Sequence, residues 1–204
     1  MAYDACHGDF PAQVFKMSLV VQDGWLKDAR RAPSPNFEAR PDGCEPELLV
    51  IHNISLPPGE FGGHCIEEFF CNRLDWDAHP FFEEIRDVRV SAHLLIRRDG
   101  ELIQFVSFDD RAWHAGQSHY AGRDNCNDFS IGIELEGTDV AAYTEHQYQA
   151  LQAVSLALFA AYPKMAPTRV AGHADIAPGR KTDPGEAFDW ARYRRTIGVQ
   201  EVPA

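Results

Sequence analysis

Apolar positions along this chain recur with two distinct periods, and the switches between them mark out an order of strands and helices. Leu48 to Ile51 is a short unbroken apolar run, the signature of a strand buried on both faces, and it ends on the polar pair His52 and Asn53. That pair is expected at the strand's carboxyl end. A Pro/Gly loop from Pro57 to Gly63 follows, then a short helix over Ile66 to Leu74. Val88 to Ile96 and Leu102 to Val106 read as two strands joined by Asp99-Gly100, because Asp-Gly tolerates the positive φ of a hairpin turn. Ser130 to Gly137 alternates, with Ile131, Ile133 and Leu135 on one face and Gly132, Glu134 and Glu136 on the other, so Glu134 is aimed away from the core-facing row. From Thr144 to Tyr162, the positions Tyr148, Leu151, Ser155, Leu158 and Tyr162 recur at steps of three and four, and Thr144 with Gln147 fits a capping box. Arg169 to Ala171 is a short strand. Ala187 to Ile197 is a closing helix with Arg192, Arg194 and Arg195 toward its C-terminal end, where the helix dipole favours cations. Strands and helices interleaved in this way predict an α/β fold with a mixed central β-sheet flanked by helices.

The first sixteen residues carry no such pattern. They are expected to form a flexible leader, residues 1–17, ahead of a single domain over residues 18–204. This segment contains Asp4 and Asp9 and has no basic stretch followed by an apolar one, so it does not read as a secretory signal. A net charge of −12 excludes the usual nucleic-acid binders and proteins held to anionic lipid, both of which use basic surfaces to neutralise phosphate. No apolar stretch approaches the roughly 20 residues needed to span a bilayer. The five cysteines, Cys6, Cys44, Cys65, Cys71 and Cys126, are odd in number and irregular in spacing, which suits free thiols in a reducing compartment. The expectation is a cytoplasmic monomer with no nucleic-acid or membrane partner.

The residues with chemistry concentrate in GHADIAPGRKTDPG, Gly172 to Gly185, where His173, Lys181 and Asp183 share a loop stiffened by Pro178 and Pro184. Zinc takes imidazole and carboxylate donors, and a catalytic zinc site keeps three protein ligands and one open position. His173 and Asp183 supply two donors, and His52 at the end of its predicted strand is the best placed third.

Five stretches in series carry a resemblance. They are LLVIHNISLPPGEFGG (Leu48 to Gly63), RVSAHLLIRRDG (Arg89 to Gly100), RAWHAG (Arg111 to Gly116), NDFSIGIELEG (Asn127 to Gly137) and GHADIAPGRKTDPG. Together they resemble the type 2 N-acetylmuramoyl-L-alanine amidases, most closely the branch acting on 1,6-anhydro-muramyl peptides, in consistent order from about Gly24 to Arg195. The resemblance implies one zinc ion on His52, His173 and Asp183, a catalytic Glu134 and a catalytic Lys181. It implies cleavage between N-acetylmuramic acid and L-alanine, with a muramyl peptide as partner. Related peptidoglycan recognition proteins and phage lysozymes commonly have Cys where this chain has Asp183.

Amide hydrolysis asks for these residue types: a base for water, charge opposite the oxyanion and a proton for the leaving amine. Taken as residues alone, Glu134 is a solvated strand carboxylate and Lys181 a surface charge; the family match turns both toward catalysis. On the strand beginning at Arg89, alternation sets Arg89, Ser91 and His93 on one face, where a guanidinium can fork onto a stem-peptide carboxylate. The resemblance likewise implies substrate contact for Arg89, with Asn53 and Trp113 as further contacts. Packing at a strand end is the alternative for Trp113 and His114. His93 is expected to pack and hydrogen-bond. His64, Cys65 and Cys71 lack a fourth ligand for a second metal, and Phe69, Phe70 and Trp76 are expected in the core rather than as a carbohydrate platform. A non-catalytic peptidoglycan-binding module would be expected to lack a zinc ligand. An amidase of intact wall would be expected to carry a signal peptide, a wall-binding domain or a basic surface.

Overall fold

A computed structural model describes residues 19–199; the leader expected over residues 1–17 lies outside them. A six-stranded sheet organises the chain. Its strands in chain order are β1 (Arg30–Arg31), β2 (Leu48–Ile54), β3 (Leu94–Ile96), β4 (Leu102–Gln104), β5 (Ser130–Glu136) and β6 (Val170–Gly172). Across the sheet they lie in the order β6-β2-β5-β3-β4-β1. β5 runs parallel to β2 and β3, β6 runs parallel to β2, and the β3–β4 hairpin is antiparallel, so the sheet is mixed as the pattern predicts. Its two central strands, β2 and β5, pair over seven residues, with Glu134 opposite His52 and Ile133 opposite Ile51.

That register decides what each face holds. Leu49, Ile51, Ile131, Ile133 and Leu135 project into one core cluster with Leu151, Val154 and Leu158 of the long helix α3 (Glu145–Ala161), which follows the short helices α1 (Cys65–Phe70) and α2 (Pro80–Glu84) in the chain.

 Tyr193 of helix α5 (Trp190–Thr196) closes the same cluster, and each fully buried Leu or Ile there contributes about 1.5–3 kcal/mol. Thr144 and Gln147 form the expected capping box, and the Gln147 amide also donates to the Ile96 and Glu136 carbonyls, which fixes α3 on the sheet.

On the opposite face, Val50 and Leu48 pack with Ala115, Phe129 and Ile176, while α1 and α2 cover Leu95 and Ile103 through Phe69, Phe70 and Phe82. Phe69 and Phe70 are core residues, as expected, and Trp76 packs against them. Between these two clusters the face is left open, and the side chains of His52 and Glu134 stand in the gap.

Several elements differ from the expectation. β2 continues through His52 to Ile54, because its neighbour β5 pairs with it along that whole length, whereas β6 pairs only as far as Ile51. His52 is therefore inside a strand rather than at its end. The strand expected from Val88 begins only at Leu94, so Arg89, Ser91 and His93 do not share a strand face. Residues 88–93 are an irregular approach whose backbone bonds go to scattered partners, Ser91 to Trp113 and His93 to Gly132. The first helix spans Cys65–Phe70 and ends before Leu74. The face of β5 that carries Glu134 does not lie on the outer surface: every residue of this strand is buried, because it is paired on both sides and Glu134 sits at the floor of a cleft.

Candidate active site

Two side chains come from the sheet and two from the loop after β6. The turn α4 (His173–Ile176) starts directly at the end of β6, so His173 sits beside His52 on the neighbouring strand. The loop then folds back, with the Asp183 carbonyl accepting from the Ala174 amide, and this returns the Asp183 carboxylate to the two imidazoles. His52 Nδ1 lies 2.9 Å from His173 Nδ1 and 3.1 Å from Asp183 Oδ2, and His173 Nδ1 lies 3.0 Å from the same oxygen. Three donor atoms from three separate segments thus meet at one point. Both histidines are buried and Asp183 is partly so.

The proton inventory of this triangle tests whether a metal suits it. The outer nitrogen of His173 faces the Ala115 carbonyl at 3.1 Å, and a carbonyl can only accept, so Nε2 carries the proton and Nδ1 presents a lone pair. Burial holds the His52 imidazole down to a pKa of about 4, so it is neutral at pH 7. A buried lone pair facing a second ring nitrogen and a carboxylate within about 3 Å is repulsive unless a cation is shared among them. Two imidazoles and one carboxylate are the donor set of a catalytic zinc site with an open fourth position, and the residues present fit that ion. Among the described residues this is the group of three ligating side chains close enough to hold a metal.

Glu134 and Glu136 occupy the same face of β5 but have opposite surroundings. Glu136 is fully engaged, accepting from the Gly62 and Arg98 amides and from the Arg97 guanidinium, and so it ties the loop after β2 to the sheet. Glu134 is also buried, yet its Oε2 has no hydrogen-bond partner. An unpaired buried carboxylate is costly unless its surroundings use it. Burial drives its pKa well above 4.5, the nearby Asp183 adds to the rise, and Lys181 opposes it.

This displacement has a measurable consequence in metal-free protein. Above about pH 4.5 the unfolded chain releases the Glu134 proton while the folded chain keeps it, so the folded state binds more protons and loses stability as pH rises, by up to about 1.4 kcal/mol per pH unit. Glu134→Gln removes that loss. Under chelator, the unfolding free energy of the variant is expected to gain on wild type as pH rises above about 4.5, for as long as the folded wild type keeps the Glu134 proton. A gap that stays constant would mean the carboxyl is ionised throughout.

The donor triangle opens on a cleft of about 460 Å³. Ile54, Leu56, Phe81, Ile85, Val88 and Val90 form its apolar wall, and Glu134, His173, Lys181 and Asp183 its polar end. A second groove of about 420 Å³ leads away past Asn53, Asp139, Arg180 and Lys181.

The sequence model described as N-acetylmuramoyl-L-alanine amidase matches residues 42–186, a span that contains all of these side chains. The chain belongs to this amidase family. It is 63% identical over 182 residues to the 1,6-anhydro-N-acetylmuramyl-L-alanine amidase AmpD of Escherichia coli, covering 89% of this chain and 99% of the relative. A crystal structure of a selenomethionine derivative of AmpD superposes with a TM-score of 0.85 at 60% identity, covering 87% of this chain and 99% of the other. AmpDh3 of Pseudomonas aeruginosa, solved in complex with an anhydromuramic pentapeptide, is similar at 31% identity and a TM-score of 0.55, over 74% of this chain and 59% of its own.

Within this amidase fold, the residues singled out from the sequence are distributed unevenly. His52, His173, Asp183, Glu134 and Lys181 all line the cleft, with Lys181 exposed beside Asp183. Trp113 is part of the cleft wall, and its buried indole N–H has no partner. Asn53 also lines the cleft, its amide donating to Asp139 at 2.8 Å. Arg89 stands outside the wall formed by its neighbours Val88 and Val90. It is exposed, its guanidinium donates to the Arg86 and Val88 carbonyls, and it lies over the Trp76 ring. His93 accepts from the Gly132 amide and faces the Asp110 carbonyl, the packing and hydrogen-bonding role expected for it. Sequence reasoning missed Arg180, whose guanidinium donates to the Ala115 and Gln117 carbonyls, and Asn127, whose amide oxygen accepts from both the His114 and Ala115 N–H groups. It also left the role of His114 open.

Proposed function

We propose that this chain hydrolyses the amide between 1,6-anhydro-N-acetylmuramic acid and L-alanine of muramyl peptides, as a cytoplasmic monomer in peptidoglycan recycling. The observation that carries this reading is the convergence of two imidazoles and a carboxylate beside the unpaired carboxylate of Glu134. No helix among the described residues is long and apolar enough to cross a membrane, which is compatible with a small muramyl peptide as substrate.

In this reading His52, His173 and Asp183 hold one zinc ion. When bound, zinc polarises the scissile carbonyl and makes water acidic, toward a pKa near ~7. The remaining work falls to the protein. Glu134 takes a proton from the attacking water as oxygen bonds to the muramoyl carbonyl carbon. The same carboxyl then passes that proton to the alanine nitrogen as the C–N bond breaks, leaving a muramoyl carboxylate and a free amino peptide. Burial gives Glu134 the raised proton affinity that the second transfer needs, while the nearby Lys181 charge favours the ionised form that the first needs. Lys181 also faces the developing oxyanion. The apolar wall of the cleft buries substrate, with Trp113 and Asn53 in contact and Arg89 reaching a stem-peptide carboxylate from the rim.

The test is an assay of purified protein on anhydro-muramyl tripeptide and on intact sacculi, each with and without chelator. Release of L-alanyl peptide from the tripeptide, lost with chelator and restored by zinc, is the expected result, with much slower attack on sacculi. Comparable rates on both would favour an amidase of intact wall. Binding without cleavage would favour a recognition module.

A further inference from the structure

We propose that His114 is a positioning residue that locks His52 in its ligating tautomer and thereby sets the affinity of the site for zinc. The inference rests on the metal-binding reading above. It begins from a relay of hydrogen bonds that ends on a backbone carbonyl. Ser130 Oγ lies 2.6 Å from the Cys126 carbonyl, which can only accept, so the hydroxyl proton points there. The Ser130 oxygen then accepts, and the His114 Nε2 facing it at 3.1 Å must be the donor. With its proton on Nε2, neutral His114 presents a lone pair on Nδ1. That lone pair faces His52 Nε2 at 2.9 Å, so Nε2 of His52 carries the proton and its Nδ1 is left free toward His173 and Asp183.

Two further features show that this side chain is held for the purpose. Gly132 on β5 sits directly beneath the His114 ring, and a Cβ at that position would lie 2.4 Å from it, so only glycine lets the imidazole approach the strand. Asn127 accepts from the His114 and Ala115 backbone amides and so fixes the segment. Residues 114 and 115 therefore hold the outer nitrogens of both histidines of the triangle, one through an imidazole and the other through a carbonyl.

The test measures zinc affinity by competition with a chromophoric chelator at neutral pH, alongside the melting temperature of the metal-free protein. His114→Phe keeps a ring against Gly132 but removes the acceptor, and is expected to weaken zinc binding by about 10- to 100-fold, the usual effect of losing an outer partner of a ligand. His114→Asn returns an acceptor oxygen at the position of Nδ1 and is expected to recover most of that affinity. Ser130→Ala removes the group that orients His114 and is expected to fall between them, and it carries the test if the His114 variants do not fold. Wild-type affinity in the Phe variant, or in Ser130→Ala where that variant decides, overturns the proposal. So does an Asn variant as weak as Phe while its metal-free form melts like wild type. A wild-type protein that binds no zinc overturns the metal reading itself, which separates the two failures.

Discussion

Asp183→Ala is expected to lose zinc and, with it, turnover. The carboxylate oxygen stands within 3.1 Å of both ring nitrogens, so it is the only anionic member of the triangle and the one that offsets the charge of a divalent ion. Its removal leaves two imidazoles with no anionic donor, and the site is expected to weaken by more than the ~10- to 100-fold that loss of an outer partner costs. Turnover falls further, because the ion's contribution to the transition state is several kcal/mol, on the order of 10³-fold or more. The fold should survive: the contact of residue 183 with the Ala174 amide runs through its backbone carbonyl, which alanine keeps. Zinc content by elemental analysis, turnover and melting temperature together check this. Full zinc occupancy in the variant would take Asp183 off the ligand set.

The meeting of His52, His173 and Asp183 was legible because the elements that carry them obey local rules. A short apolar run marks β2 and brings His52 to the sheet, and a Pro-bounded loop after a short strand brings His173 and Asp183 to the same edge. α3 was legible in both its period and its cap. What escaped has physical reasons. The ladders at Val21–Gln22, Trp25–Leu26 and Arg30–Arg31 are two residues long and carry no period to read. Arg89 was assigned to a strand because alternation continues backward from Leu94, yet the ladder stops where β3 loses its neighbours, and alternation cannot report that. Glu134 read as solvated because its face of β5 holds Gly and Glu, residues that elsewhere mean water. Here the glycine makes room for a buried imidazole and Glu136 is consumed by ion pairing and amide contacts, so the polar row is an interior one. His114 was ambiguous for a related cause: its partners Ser130 and His52 are distant in sequence and meet only across the sheet.

Glu134→Gln is expected to separate catalysis from metal binding. The amide keeps the shape of the carboxyl and is easier to bury, so neither packing nor the donor triangle should suffer, and zinc is expected to stay at wild-type stoichiometry. What the variant lacks is a basic oxygen to accept the water's proton and an acid to return it to the alanine nitrogen. General acid–base groups typically contribute about 10²- to 10⁴-fold, so kcat is expected to fall within that range while KM changes little. The contrast with Glu136 provides the control. That carboxylate is paired with Arg97 and two backbone amides, so Glu136→Gln should lower the melting temperature by weakening the hold on the loop at Gly62, with a smaller effect on the chemical step. If Glu134→Gln turns over near the wild-type rate with zinc in place, the proton must travel by another group, and the unpaired oxygen of Glu134 needs a different explanation.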